Sequence, residues 1–304
     1  MDNLRVGVWI DDDGVSVAAV AERARAAVAA GYETVWLGER SGWDPLTLLT
    51  AIGPAVPGVR LGTAVVRTHP RHPLALAAQA VTAQAAVGGR LVLGVGPSHA
   101  PIVEGQYGLS YDRPARHTRE YLTALGPLLR GEPVTYSGDL VTVNGQVTAA
   151  GAEPPPVLLA ALGPAMLRVA AELADGVVTT WAGPRSIGEH VVPTLTAASD
   201  DAGRGTRPDV VAGVCVAVTD DPDGARDWVQ RHFGIAGELP SYRTQLDREG
   251  VRTPAETVIA GDEEAVHRAF RALADAGVDE LQVLPVGPDK DQTRTLEVAA
   301  RLAR

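Results

Sequence analysis

Unbroken apolar runs and apolar positions at helical spacing alternate along the chain from end to end. Residues 5–10 predict a first strand, stopped by Asp11, Asp12, Asp13 and Gly14. Ser16 then caps a helix in which Val17, Val20, Ala24 and Val28 recur at helical spacing, with Gly31 ending it. Residues 34–38 predict a second strand carrying Glu39 and Arg40 at its carboxyl end, and residues 59–66 a third. An alanine-rich helix over 73–87 leads to a fourth strand at 91–95, which opens into a loop holding Ser98, His99 and Glu104. A helix over 113–129 follows, then a Gly- and Pro-rich insertion over 131–156 with a hairpin at 134–136 and 141–143. Residues 157–161, 176–180, 211–218 and 280–285 supply strands five to eight, and Gly163–Pro164 opens the helix between the fifth and sixth. A second insertion, 219–260, is longer than an ordinary connection and predicts two or more helices covering one end. Asp262 caps the next helix, with Glu263 and Glu264 in its first turn.

Eight strands alternating with helices, several of them continuously apolar, predict one (β/α)8 TIM barrel across 1–304 as a single domain. A doubly wound open sheet is the structural rival. Apolar residues make up 45% of the 304 residues but aromatics only 4%, so the core must be built from Ala, Val and Leu. The net charge of −10, without a long basic run, excludes nucleic acid or an anionic membrane as a partner held by bulk charge. An anionic ligand would need a local basic pocket. Cys215 is the only cysteine and lies in an apolar strand, which excludes disulfides and cysteine metal sites and fits a reducing cytoplasm. Neither a signal-peptide pattern nor an apolar run of about 18 residues is present.

Gly94-Val95-Gly96 is not a dinucleotide fingerprint, because Pro97, Ser98 and His99 stand where the third glycine belongs. Backbone without Cβ does let a flat ring approach closely. His99, directly after a barrel strand, suits a proton donor or acceptor beside a redox cofactor; its other reading is a loop histidine bonded to backbone. Glu39 and Arg40 form either a surface ion pair or part of the barrel mouth. Arg67, His69, Arg71 and His72 cluster after strand three, as a solvated loop or as cations for an anionic ligand. Arg113, Arg116, His117 and Arg119 recur along one helix, where pairing with Glu120 and nearby acids is the favoured reading. No zincin helix, metal-ligand cluster or nucleophile elbow occurs, so no metal site is expected.

Three stretches together resemble the bacterial luciferase-like oxidoreductases, above all the members that use the deazaflavin coenzyme F420. They are Gly62-Thr63-Ala64-Val65, then Leu93 to Pro101 with Gly108, Arg113 and Glu120-Tyr121 beyond, and Leu158 to Pro164 with Ala170 and Leu173 to Val177. The resemblance spans nearly the whole chain. It implies that Ala64, Val65, Gly96, Ser98, Ala161, Gly163 and Pro164 line the cofactor, and that the Ala64–Val65 peptide is cis. It implies an F420-dependent oxidoreductase, with His99 and then Glu39 as proton-handling candidates. Arg67 and Arg71 would meet the cofactor's anionic tail. It further implies a small-molecule substrate, a cytoplasmic location and a homodimer. The alternatives are FMN as cofactor of a monooxygenase or reductase, and a cofactor-binding protein without chemistry. One departure stands out. The glucose-6-phosphate dehydrogenases of the family carry a histidine after strand two and a glutamate after strand four, where this chain has Arg40 (or Glu39) and His99. A sugar phosphate is therefore not the expected substrate.

Overall fold

The computed structural model describes residues 4–149, 151 and 153–303. Eight parallel strands close on themselves: β1 (Arg5–Trp9), β2 (Thr34–Leu37), β3 (Arg60–Thr63), β4 (Leu91–Gly96), β5 (Val157–Ala160), β6 (Gly176–Thr180), β7 (Asp209–Val218) and β8 (Glu280–Pro285). Each strand pairs with the next, and β8 returns to β1 with Arg5 opposite Glu280. This is the TIM barrel that the alternation of elements predicted, with strand boundaries within two residues of expectation except at the third. There, β3 stops at Thr63, the Ala64–Val65 peptide is cis as the resemblance implied, and Val66–Arg67 resumes pairing with β4.

Side-chain alternation divides every strand between two cores. The inward set Trp36, Val92, Leu158, Val178 and Val211 fills the barrel, with Trp9, Ala64 and Val65 packed above it. Trp36 fits because the flanking strands carry Gly7 and Gly62, where a Cβ would lie 2.4 and 2.2 Å from its ring. Below it, the buried Glu280 carboxylate accepts from Trp36 Nε1 at 3.0 Å and from Arg60 at 2.5 Å, with Arg5 at 3.4 Å. The amino-terminal end of the barrel is therefore sealed by an ion cluster. The outward set packs against the helices, which bury mostly Ala, Val and Leu. Their ends follow the expected chemistry: Ser16 and Asp262 cap by accepting from Ala19 and Ala265, and Pro164 occupies a first turn.

The connections differ from expectation in four places. Residues 100–107 form a helix (Ala100–Tyr107) instead of a loop, started by Pro101 in its first turn and ended by Gly108 in the left-handed region. Pro45–Ile52 is a further helix, capped by Asp44. Beyond β6, Pro184–Ser186, a π turn at Ile187–Val191 and Val192–Asp201 continue as one helical stretch. Where described, 131–156 carries the expected hairpin (Val134–Ser137 with Thr142–Gly145), its residues 150 and 152 lying outside the described residues, while 219–260 runs into an unexpected strand, Ile259–Gly261, paired in parallel with β7. Residues 219–260 carry the helices Pro222–Phe233 and Pro240–Glu249, seated on their own apolar cluster with Trp181, Cys215 and Val286. Among the described residues, no helix is long and apolar enough to cross a membrane.

Candidate active site

Two cavities meet at the carboxyl ends of the strands. The larger, about 440 Å³, runs from Val65 past Ser98, His99 and Ala160 to Gly163 and Met166. The smaller, about 280 Å³, lies over the barrel axis between Trp9, Ala64, Trp181 and Gln282. Thr180 and Tyr242 belong to both walls, and the Ala64–Val65 peptide contributes one side chain to each. A two-chamber site of this kind holds two ligands in contact, each at the size of small-ligand pockets.

Residues 97–99 are set by local structure. Ser98 has a left-handed backbone (φ 64°), and the Tyr111 hydroxyl donates to its carbonyl at 2.7 Å. His99 stands just before the Ala100–Tyr107 helix and meets the Tyr242 ring edge-on at 4.9 Å. Burial lowers its pKa below the usual histidine range, and the Arg67 charge lowers it further. The imidazole is thus neutral at pH 7, with one nitrogen able to accept and the other to donate. Tyr242 has its phenol pushed up to about 12 by burial and stays protonated.

Other expected residues lie elsewhere. Ala161 is buried outside the barrel, because alternation along β5 points Ala160 inward and its neighbour toward the helices. Gly96 is beneath the wall: a Cβ there would lie 2.8 Å from Val65 and 2.9 Å from Ala160. Gly163 opens on the larger cavity at the start of Pro164–Leu173, the helix whose first turn holds Pro164.

The basic loop after strand three does not form the expected free cationic rim. Arg71 is committed to two carboxylates, Glu39 at 2.6 Å and Asp44 at 2.6 Å. His72 caps the following helix by accepting from Leu74, and its Nε2 lies 2.9 Å from the Thr142 carbonyl oxygen. His69 is stacked on His117 with ring centroids 4.1 Å apart, and burial lowers the pKa of both. Arg67 is the exception, having no carboxylate partner among the described residues; it donates to the Tyr107 hydroxyl at 3.0 Å. Glu39 does reach the smaller cavity, but its carboxylate also accepts from the Arg67 amide at 2.8 Å. Held by two donors, it is placed to position the loop. Arg116 and Arg119 pair with Glu120 and Glu172, as their helical spacing suggested for the first.

Sequence reasoning missed Tyr111, Thr180, Trp181, Tyr242 and Gln282. Trp181 and Tyr242 carried a signal, as rare aromatics at a strand end and in the long insertion. Gln282 carried another, a polar residue inside an apolar strand.

The fold and site together define a (β/α)8 barrel with a two-chamber ligand site at the carboxyl ends of its strands. The luciferase-like monooxygenase family model matches residues 2–302, and the chain belongs to that family. It is 34% identical to the Mycobacterium tuberculosis protein "Putative coenzyme F420-dependent oxidoreductase Rv3520c", with 83% of this chain and 77% of that protein covered. It is 30% identical to the 5,10-methylenetetrahydromethanopterin reductase of Methanolobus tindarius, over 80% of this chain and 74% of the relative. Among solved structures, an F420-dependent secondary alcohol dehydrogenase in complex with an F420-acetone adduct superposes with a TM-score of 0.83 at 18% identity, covering 99% of both chains. The F420-dependent tetrahydromethanopterin reductase of Methanopyrus kandleri gives 0.79 at 23% identity, covering 98% of both.

Proposed function

We propose that this chain is an F420-dependent oxidoreductase that moves a hydride between the deazaflavin C5 and a small organic substrate. The observation that carries the reading is the pair of cavities meeting at Thr180 and Tyr242 across the Ala64–Val65 peptide. The residues present fit the cofactor. The larger cavity is long, mostly apolar and floored by Val65, Ser98 and Ala160, which suits a flat tricyclic ring. At its far end a Cβ on Gly163 would meet nothing within 4 Å, so backbone amides at a helix start are open to a phosphate. Arg67, buried against Tyr107 and without a carboxylate partner among the described residues, is the cation of that loop left for an anionic tail, although it lines neither cavity. A relative whose name carries coenzyme F420, at 34% identity, supports the same cofactor.

When bound, F420 supplies or accepts the hydride at C5. The protein must then hold the substrate against it, exclude water and handle one proton. Trp9, Trp181, Phe233 and Tyr242 wall the substrate chamber against water. His99, neutral and without a side-chain hydrogen bond among the described residues, takes or gives the proton in this reading. A cytoplasmic homodimer completes the proposal and rests on the family resemblance alone; sedimentation analysis tests the dimer.

The test is turnover by purified protein. Reduced F420 with carbonyl or enone acceptors, or oxidised F420 with alcohols, should change the deazaflavin's visible absorbance. Turnover only with reduced FMN, accompanied by dioxygen uptake, would make the chain an FMN monooxygenase. Saturable F420 binding without turnover on any acceptor panel would leave a binding protein.

A further inference from the structure

The smaller cavity contains a polar group that hydride transfer itself does not require. Of the five Trp, six Tyr and two Phe in the chain, four wall this one space: Trp9, Trp181, Phe233 and Tyr242. Its charged neighbours are paired with opposite charges, Glu39 with Arg71 and Arg40 through its Nη2 with Asp11, although Arg40 Nε has no partner among the described residues and the guanidinium lies 5.1 Å over the Trp9 ring. The Cys215 thiol is raised to about 12 by burial and is uncharged. Against this background stands Gln282, only 5% exposed, whose Nε2 has no hydrogen-bond partner among the described residues.

The fold keeps that amide in place. Glu280, Gln282 and Leu284 share the inward face of β8, and Gln282 pairs in register with Gly213 of β7. A Cβ on Gly213 would lie 2.9 Å from Gln282 Oε1, so the glycine leaves the room the amide occupies. A buried amide donor left unpaired is unfavourable; Gln282 lines the cavity while its Nε2 is turned into the wall, and a half-turn of the amide that exchanges Nε2 with Oε1 lets a ligand acceptor satisfy it. Aromatic walls favour a flat apolar body. A carboxylate or phosphate would meet the Glu39 carboxylate with the cations around the cavity already engaged.

We propose that this cavity selects a neutral, planar, largely apolar compound bearing one carbonyl oxygen, and that Gln282 Nε2 donates to that oxygen. That such a compound is the hydride's partner rests on the F420 reading above; its binding does not.

The experiment is calorimetric titration of the protein, with and without F420, using three probes of matched size: acetophenone, ethylbenzene and benzoate. Acetophenone should bind about tenfold more tightly than ethylbenzene, the value of one hydrogen bond to a buried neutral donor. Benzoate should bind weakest. Gln282→Leu should remove the acetophenone advantage while leaving ethylbenzene and F420 affinities within about twofold. Gly213→Ala, which crowds the same amide, should do likewise if the leucine variant does not fold. Benzoate binding as tightly as acetophenone would overturn the proposal. So would an acetophenone advantage that survives in a folded variant. Failure to bind F420, with probe selectivity intact, would sink the cofactor reading and leave this one standing.

Discussion

Three glycines of the site should respond to one added methyl group in three different ways. At Gly94, a Cβ would lie 1.9 Å from the Thr63 carbonyl oxygen. That oxygen belongs to backbone, and Thr63 Oγ1 ties the two strands by donating to the Gly94 carbonyl at 2.7 Å and accepting from its amide at 2.9 Å. Gly94→Ala cannot be relieved by a side-chain shift, and its cost should exceed the about 1–3 kcal/mol usual for overpacking. At Gly96, the contacts would be Val65 Cγ2 at 2.8 Å and the Ala160 Cβ at 2.9 Å. Those side chains can recede, at about 1–3 kcal/mol, but both line the larger cavity and would narrow it. At Gly163, nothing lies within 4 Å and φ is −90°, an angle alanine adopts freely. Loss of a glycine N-cap should cost at most about 1 kcal/mol, while the methyl group takes up cavity space. Urea midpoints at constant slope measure the first quantity and F420 titration the second. The expected order of stability is Gly163→Ala, then Gly96→Ala, then Gly94→Ala, with F420 affinity reduced about tenfold in the first two. A stable Gly94→Ala variant, or a Gly163→Ala variant that binds F420 normally, would refute the packing argument.

Replacing His99 by Ala should lower turnover by roughly 10²–10⁴-fold with little change in F420 affinity, and the acid limb of the pH profile should vanish. Unchanged turnover would move the proton role elsewhere. His69, His99 and His117 all have lowered pKa values, chiefly through burial, His117 to about 4. Their neutral forms favour the native state, so this stability is complete above about pH 6.5 and is lost as pH falls toward 4. His117 accounts for at most about 3 kcal/mol, cut to roughly 1–2 kcal/mol by water at its half-buried ring, and urea midpoints at pH 7 and 4.5 measure the loss. Arg71→Leu should destabilise by about 2–4 kcal/mol, since it strips the Glu39 carboxylate of its counter-charge, yet leave F420 binding and its salt dependence unchanged. A large fall in F420 affinity would restore Arg71 as a ligand for the anionic tail.

The barrel was legible because its strands are apolar on both faces and its helices carry caps and terminal glycines that act locally. The same property hid the site. A run such as Val157–Ala160 shows no alternation, so inward Ala160 and outward Ala161 look alike until the barrel fixes the phase. Gln282 broke its strand's apolar pattern and could have been read as inward-facing once the Glu280–Gln282–Leu284 parity was noticed. The cationic loop departs from its sequence expectation for another reason. Arg71 lies near Asp44 and Glu39 only because the Pro45–Ile52 helix begins and β2 ends beside it, contacts about thirty residues apart in sequence. Tyr242 reaches both cavities from an insertion whose helices, but not whose docking, could be foreseen.

In the proposed complex a deazaflavin occupies the larger cavity and offers C5 to the smaller. The crystal structure of the protein grown with F420 tests it most directly. The expected map has ring density against Val65 and Ser98, the phosphate at the Gly163 end, and C5 open toward Trp9 and Gln282. Ring density outside this cavity, or a ring seated there with C5 turned against the protein wall, would contradict it.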